Sequence, residues 1–150
     1  MKKVSQLVHN FKLKYPSTIA WRIDKHSKVI ESYLNPDEKV IYAFTGQKTV
    51  DSLQIFNTCV VVLTNKRILI GRKRILFGHF LDSITPDMFN DLNIVANIIW
   101  GSINIDTIKE VVKISFISKK SLDEIETAIT TFMMEEKKKY KIEKEKKESN

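Results

Sequence analysis

Two apolar runs separated by a short polar turn constrain the fold of this chain more than any other feature. The first run is Cys59–Leu63 and the second is Ile68–Ile70, with Thr-Asn-Lys-Arg between them. Both runs are rich in β-branched residues, and Asn65 tolerates the positive φ that a tight turn requires. The sequence therefore predicts a buried β-hairpin over residues 59–70.

The length of the chain and its cysteine content limit the class of protein. A chain of 150 residues is long enough for one domain with its own core. Cys59 is the sole cysteine, so an internal disulfide is excluded, and its place in an apolar run predicts a buried, inert thiol. Polar residues interrupt the N-terminal segment, and no apolar stretch approaches the ~20 residues that span a bilayer. We therefore expect a cytoplasmic protein.

The net charge of +7 is distributed unevenly. Residues 1–35 carry seven cationic against two acidic side chains, residues 36–134 carry eleven of each, and residues 135–150 carry seven against five. A neutral body with a basic arm differs from the basic folded face of a nucleic-acid-binding domain. The predicted strand aromatics Tyr42, Phe44 and Phe56 also lie in stretches without Lys or Arg. We therefore do not expect nucleic acid as a partner.

Two short helices are predicted before residue 36. The first covers residues 4–11, where Val4, Leu7, Val8 and Phe11 recur at helical spacing between lysines. It is either a membrane-surface or partner-binding segment, or a helix that packs on its own domain or frays. The second should begin with a cap at Ser17 or Thr18 and end before Pro36. His26 lies on its apolar face, where packing is a better interpretation than metal binding.

The rest of the chain predicts seven strands and a C-terminal helix. The first five strands are expected at about 40–47, 53–63, 67–73, 79–85 and 92–100. After a turn at Gly101-Ser102, the sixth strand should begin at Ile103, and the seventh should cover 109–117. The sequence Ser121-Leu122-Asp123-Glu124 matches a capping box and predicts a helix start. The apolar stripe of that helix should cover the sheet; it comprises Leu122, Ile125, Ile129, Phe132 and Met133.

The order of these elements matches the pleckstrin-homology (PH) superfold. Asp37-Glu38-Lys39-Val40 opening a strand, followed by the hairpin motif at 61–70, resembles the bacterial PH-like domains of the YokE-like type over residues 36–134. The resemblance implies an α+β, mainly β fold, with a seven-stranded antiparallel barrel or sandwich capped by a C-terminal helix. Residues 1–35 would then be an N-terminal helical extension, and residues 135–150 a charged helical or disordered tail.

The resemblance also implies where a ligand would bind. In that fold the loops after strands one, three and six meet at the open end of the barrel. The candidate anion-binding residues are Lys48, Arg72, Lys73 and Arg74, with Lys109 as a further cation. Residues 49–56 contain no Lys or Arg, which weakens a phosphoinositide site. Lys66 and Arg67 would lie at the opposite end of strand three.

No catalytic, cofactor-binding or metal-binding residues are expected. The three histidines fall in separate elements, and the chain has no Gly-rich phosphate loop, Cys/His pair or paired acidic motif. The leading hypothesis is a non-enzymatic module for protein–protein interaction or self-association, through an open strand edge or the N-terminal helices. The alternative is peripheral binding to an anionic membrane through Arg72–Arg74 and the basic N-terminal arm, which contains Lys2, Lys3, Lys12 and Lys14.

Overall fold

The computed structural model describes residues 4–49 and 57–150. Two helices precede the sheet, α1 (Val4–Lys14) and α2 (Ile23–Glu31). The strands are β1 (Val40–Lys48), β2 (Thr58–Thr64), β3 (Ile68–Lys73), β4 (His79–Ile84), β5 (Phe89–Ala96), β6 (Trp100–Thr107) and β7 (Val111–Ser118). A short 3₁₀ turn, Lys119–Ser121, leads into α3 (Leu122–Glu148). The predicted beginning of strand two, residues 53–56, lies outside the described residues.

The seven strands form one curled antiparallel sheet in the order β4-β3-β2-β1-β7-β6-β5. β1 and β7 pair only at Gln47–Ser115 and Lys48–Ile114. Beyond that point the segment before α2 bonds to β7: Ile19 N–H donates to the Phe116 carbonyl, and Ser118 N–H donates to the Thr18 hydroxyl, both at 2.9 Å. The α+β, mainly β architecture with seven antiparallel strands and a C-terminal helix is confirmed.

The predicted hairpin is confirmed, and both of its faces are buried. On the inner face, Cys59, Val61 and Leu63 belong to the main core, which α3 closes. On the outer face, Val60 and Val62 pack with residues of α1 and α2. This explains why all seven residues of β2 are buried. Two covered faces require a continuous apolar run rather than an alternating one.

The N-terminal helices therefore pack on their own domain. Val4, Val8 and Phe11 of α1 are buried, as are Ile23 and Ile30 of α2. Gly71 in β3 permits the close approach of α2, because a Cβ at this position would lie 2.6 Å from Ile30 Cγ1.

Helix α3 closes the core with its first turns only. Leu122, Ile125, Ile129 and Met133 are buried, as the predicted stripe requires. From Tyr140 onward every residue is exposed, so the Glu/Lys-rich end of α3 extends as a solvated helix. No helix in the described ranges 4–49 and 57–150 has both the length and the apolar character needed to cross a membrane.

The turn predicted at Gly101-Ser102 was wrong, because both residues belong to β6. The turn lies at residues 97–99, where the Asn97 side chain accepts hydrogen bonds from the N–H groups of Ile99 and Trp100. An asparagine side chain can thus replace the expected glycine turn. Gly101 instead makes room for Leu122, whose Cδ1 would lie 2.3 Å from a Cβ.

Both predicted helix caps are absent because other partners engage the capping side chains. Ser121 donates to the Ser118 carbonyl at 2.8 Å and makes no cap bond. Glu124 accepts hydrogen bonds from Tyr15 (2.6 Å) and Tyr42 (3.1 Å) instead of capping α3. Thr18 bonds to β7, so α2 begins only at Ile23.

Candidate binding surface

The hairpin turn and the residues before β1 form a buried polar cluster. The Glu38 carboxylate accepts hydrogen bonds from Arg67 Nε (2.9 Å) and Nη2 (3.1 Å). It also accepts the Thr64 hydroxyl at 2.7 Å and the Asn35 N–H at 3.1 Å. Lys66 pairs with Asp37 beside it. The two motifs that carried the family resemblance therefore bind each other, and Lys66 and Arg67 are already paired with acidic side chains.

The electrostatics of Glu38 follow from these contacts. Its side chain is completely buried, and the Arg67 side chain is 20% exposed. Burial alone would raise the pKa of Glu38, but the hydrogen bonds from Arg67, Asn35 and Thr64 outweigh burial and lower that pKa to about 2. A buried carboxylate with four donors is a structural element. It is not available to an external ligand.

The loop between β3 and β4 has the opposite character. The loop tip, defined here as Ile75, Leu76 and Phe77, consists of three consecutive large apolar side chains that are 76%, 82% and 83% exposed. Gly78 adopts φ 77, and its carbonyl accepts the Arg74 N–H at 3.0 Å, which closes the loop. Positive φ is accessible to glycine at no steric cost, so the loop can project as a tight turn.

Cationic residues surround the base of this loop. The guanidinium carbons of Arg72 and Arg74 lie 4.7 Å and 5.2 Å from the centre of the Phe80 ring. Phe80 thus holds both arginines by cation–π contact. Arg72, Lys73 and Arg74 make no ion pair with an acidic side chain in the part of the chain that the structure describes. The loop therefore presents uncompensated positive charge directly below an apolar tip.

The four candidate anion-binding residues do not converge in one pocket. Lys48 forms an ion pair with Asp82 and borders a cavity of about 130 Å³ that Arg72 also lines. Lys73 borders a different cavity, which it shares with α2, and Arg74 lies on the loop itself. Lys109 belongs to the β6–β7 turn and borders none of the three cavities that Arg72 lines.

The N-terminal extension contributes residues to this region that were not predicted from the sequence. Trp21 and Arg22, just before α2, border the cavity shared with Lys73 and Ile75. Trp21 is 47% exposed. The signal available in the sequence was that Trp21 does not fall on the apolar stripe predicted for the second helix, as expected of a surface aromatic.

Two lysines of the predicted basic arm make intramolecular contacts. Lys12 donates to the carbonyls of Pro16 (3.0 Å) and Thr18. Lys14 pairs with Glu124 at 3.0 Å. Lys2 and Lys3 lie outside the described residues. The basic surface therefore depends on Arg22 and residues 72–74 more than on Lys12 and Lys14.

The histidines and the cysteine occupy separate positions. His9 contacts Asp24 and His79 contacts Tyr33, both at 2.8 Å, whereas His26 is buried and its Nδ1 accepts the Lys73 N–H. Cys59 is buried, and burial raises its pKa to about 12. Within residues 4–49 and 57–150, no group of three or more His, Cys, Asp or Glu side chains is arranged to hold a metal ion.

Comparison with known proteins identifies the family. The family model described as Bacterial PH domain matches residues 34–131, which is well over half of the chain. The chain belongs to this family. Domains of this family are generally non-catalytic binding modules. Trp21, Arg22 and His26 precede the matched range, so the PH domain proper does not include them.

Two solved structures are similar to the chain at low sequence identity. One is a DUF1696 family protein with a pleckstrin-homology domain from Shewanella loihica PV-4, with 14% identity and a TM-score of 0.47 over 73% of this chain and 95% of that one. The other is a pleckstrin homology domain from Shewanella amazonensis SB2B, with 12% identity and a TM-score of 0.48 over 75% and 89%. No functionally curated protein matches the chain.

Proposed function

We propose that this protein is a non-catalytic PH-like module that attaches peripherally to anionic membrane surfaces through its β3–β4 loop. The observation that carries the proposal is the loop tip, Ile75, Leu76 and Phe77, standing exposed above Arg72, Lys73 and Arg74. Clustered apolar exposure of this kind on a soluble domain marks an interaction site.

A bilayer suits this surface better than a protein groove because of its shape and charge order. The tip projects on a hairpin, and the cations follow at its base. In a docked orientation the apolar side chains would enter the boundary between headgroups and acyl chains while the cations stay with the anionic headgroups. A membrane surface presents the same two layers in this order, with anionic headgroups outside and acyl chains beneath them.

The expected affinity is modest. Each well-placed cation contributes about 1 kcal/mol at an anionic surface. Three cations together with partial burial of three apolar side chains should give binding comparable with that of a single myristoyl chain, about 10⁴ M⁻¹. Attachment would therefore be reversible, and it would weaken as salt screens the charges.

Vesicle co-sedimentation tests the proposal. The protein should sediment with vesicles that contain phosphatidylglycerol and remain in solution with pure phosphatidylcholine vesicles. The double variant Leu76→Asn/Phe77→Asn should lose at least about tenfold in affinity, because each side chain contributes on the order of 1 kcal/mol or more when buried. Ile98→Asn is the matched control, since Ile98 is 91% exposed in another loop. Equal sedimentation of both variants, or none for the unmodified protein, would refute membrane attachment.

Self-association through the β5 edge is a second candidate. β5 is an edge strand of the sheet and contains neither Lys nor Pro, the residues that often protect such edges. Val95 near its end is 58% exposed. The N-terminal helices offer less, because their apolar residues pack on their own sheet. Light scattering should show a dimer that Val95→Lys dissociates, whereas a monomer at high concentration would refute this candidate.

A further inference from the structure

The cavity that Lys73 shares with α2 lies on the outer side of the sheet. It is bordered by the start of α2, the first residue of β2 and the last residue of β3. It measures about 220 Å³, below the range of about 300–1,000 Å³ typical of drug-sized ligands, and suits a small group. Its wall includes Trp21, Arg22, His26, Thr58, Arg72 and Lys73. Three of these residues come from the N-terminal extension, so this cavity is a feature of the chain beyond its matched PH domain.

The charges around the cavity are positive and uncompensated. Arg22, Arg72 and Lys73 make no ion pair with an acidic side chain among residues 4–49 and 57–150. The pKa of His26 reflects this positive charge. Burial lowers that pKa, and the charges of Arg22 and Arg72 lower it further, to about 4. The imidazole is therefore neutral, and the positive charge of the cavity resides on the Arg and Lys side chains.

A buried hydroxyl supplies an unused donor in the same wall. Thr58 is 3% exposed, and its Oγ1 accepts hydrogen bonds from Trp21 N–H (3.1 Å) and Gln47 Nε2 (2.7 Å). With both neighbours donating to it, the hydroxyl proton has no acceptor within the described part of the chain. Buried donors are normally paired, so this proton is placed for an acceptor that occupies the cavity.

We propose that this cavity binds a phosphate group. A compact oxyanion would pair with the guanidinium and ammonium groups and accept the Thr58 hydroxyl, and arginine is the side chain best suited to bind phosphate oxygens in pairs. The inference rests on the proposed membrane attachment for one source of that phosphate. Ile75 belongs both to the cavity wall and to the loop tip, so a docked protein would hold the cavity at headgroup depth.

Tryptophan fluorescence in the absence of any membrane tests the cavity directly. The chain has two tryptophans, and Trp100→Phe leaves Trp21 in the cavity wall as the reporter. In this background, inorganic phosphate at constant ionic strength should produce a saturable change that chloride does not reproduce. Adding Arg22→Ala should weaken phosphate binding about tenfold, the effect of removing a hydrogen bond to a charged group.

Lys28→Ala is the matched control, because it removes one cation from an exposed position of α2 outside the cavity wall. Circular dichroism establishes that both variants remain folded. A change that does not saturate, or equal affinities for Arg22→Ala and Lys28→Ala, would overturn the phosphate site.

Vesicle binding then distinguishes the two sources of phosphate. If the cavity holds a lipid headgroup, Arg22→Ala should weaken sedimentation with phosphatidylglycerol vesicles more than Lys28→Ala does, and inorganic phosphate should compete. If the two variants sediment equally while the phosphate titration still depends on Arg22, the cavity takes free phosphate. If inorganic phosphate does not bind but the protein still sediments with vesicles, only the phosphate site is refuted. Saturable phosphate binding without any vesicle binding refutes membrane attachment alone.

Discussion

The buried contact between Glu38 and Arg67 predicts a large loss of stability when the carboxylate is removed. In Glu38→Gln, the Arg67 guanidinium would keep its mostly buried position without an anionic partner. Breaking a buried ion pair from one side typically costs 3–5 kcal/mol. The pKa of Glu38 leads to a similar magnitude, because its decrease from the ordinary 4.5 to about 2 corresponds to about 3 kcal/mol of stability at neutral pH.

The sign of the pH dependence follows from the lowered pKa. A carboxylate with a lower pKa in the folded state contributes its full stability above pH 4.5, where it is ionised in both folded and unfolded chains. That contribution is lost as the pH falls from 4.5 toward about 2. Glu38→Gln should therefore be less stable at neutral pH, and its stability should fall less steeply than that of the unmodified protein within this window.

Urea denaturation followed by circular dichroism at a series of pH values measures both effects. Asp37→Asn is the control, because it removes the exposed partner of Lys66 in the neighbouring pair, and surface pairs contribute little. We expect its midpoint to stay close to that of the unmodified protein. A loss below about 1 kcal/mol in Glu38→Gln, or an unchanged pH slope, would show that the buried pair does not stabilise the fold as argued.

Three further substitutions or reactions test the packing. Gly71→Ala should cost about 1–3 kcal/mol, because the new methyl would meet Ile30, and Ile30→Ala should remove most of that cost in a double-mutant cycle. The Cys59 thiol should react with a thiol reagent only as the protein unfolds, and fast reaction of the native protein would contradict its burial. Ile129→Ala should cost about 2–5 kcal/mol, whereas Ile142→Ala on the exposed end of α3 should stay within about 0.5 kcal/mol, both measured by urea denaturation.

The sequence predicted the elements well because their signals are local or periodic. The hairpin follows from two β-branched runs, and α3 follows from an apolar stripe at helical spacing. The turn chemistry was wrong in one respect, because Asn65 does not adopt the positive φ expected of it. The errors arose where residues distant in the sequence determine the local structure. Gly101 looked like a turn residue but lies in β6, where it leaves room for the side chain of Leu122. Glu124 looked like a capping residue but bonds to tyrosines more than eighty residues away in sequence.

The candidate site was harder to predict because exposure and charge pairing are tertiary properties. The sequence shows Arg72, Lys73 and Arg74 as a basic run, but it does not show that Lys48 is paired with Asp82. It also cannot show that residues 75–77 project into solvent, because an apolar triplet after a strand can equally be core. The position of Trp21 beside Lys73 depends on the packing of α2 against β3.

The family motif and the proposed binding surface therefore have different physical roles. The residues that reveal the family, around Glu38 and Arg67, are engaged with each other at one end of β3, and their charges are compensated. The uncompensated cations lie at the other end of the same strand, beside the loop tip and the start of α2. Because α1 and α2 cover the outer face of β1–β3, the extension stabilises the sheet and also supplies Trp21 and Arg22 to this surface. Ligand preference in this protein should therefore depend on the extension and the β3–β4 loop, which can change while the buried ion pair preserves the fold.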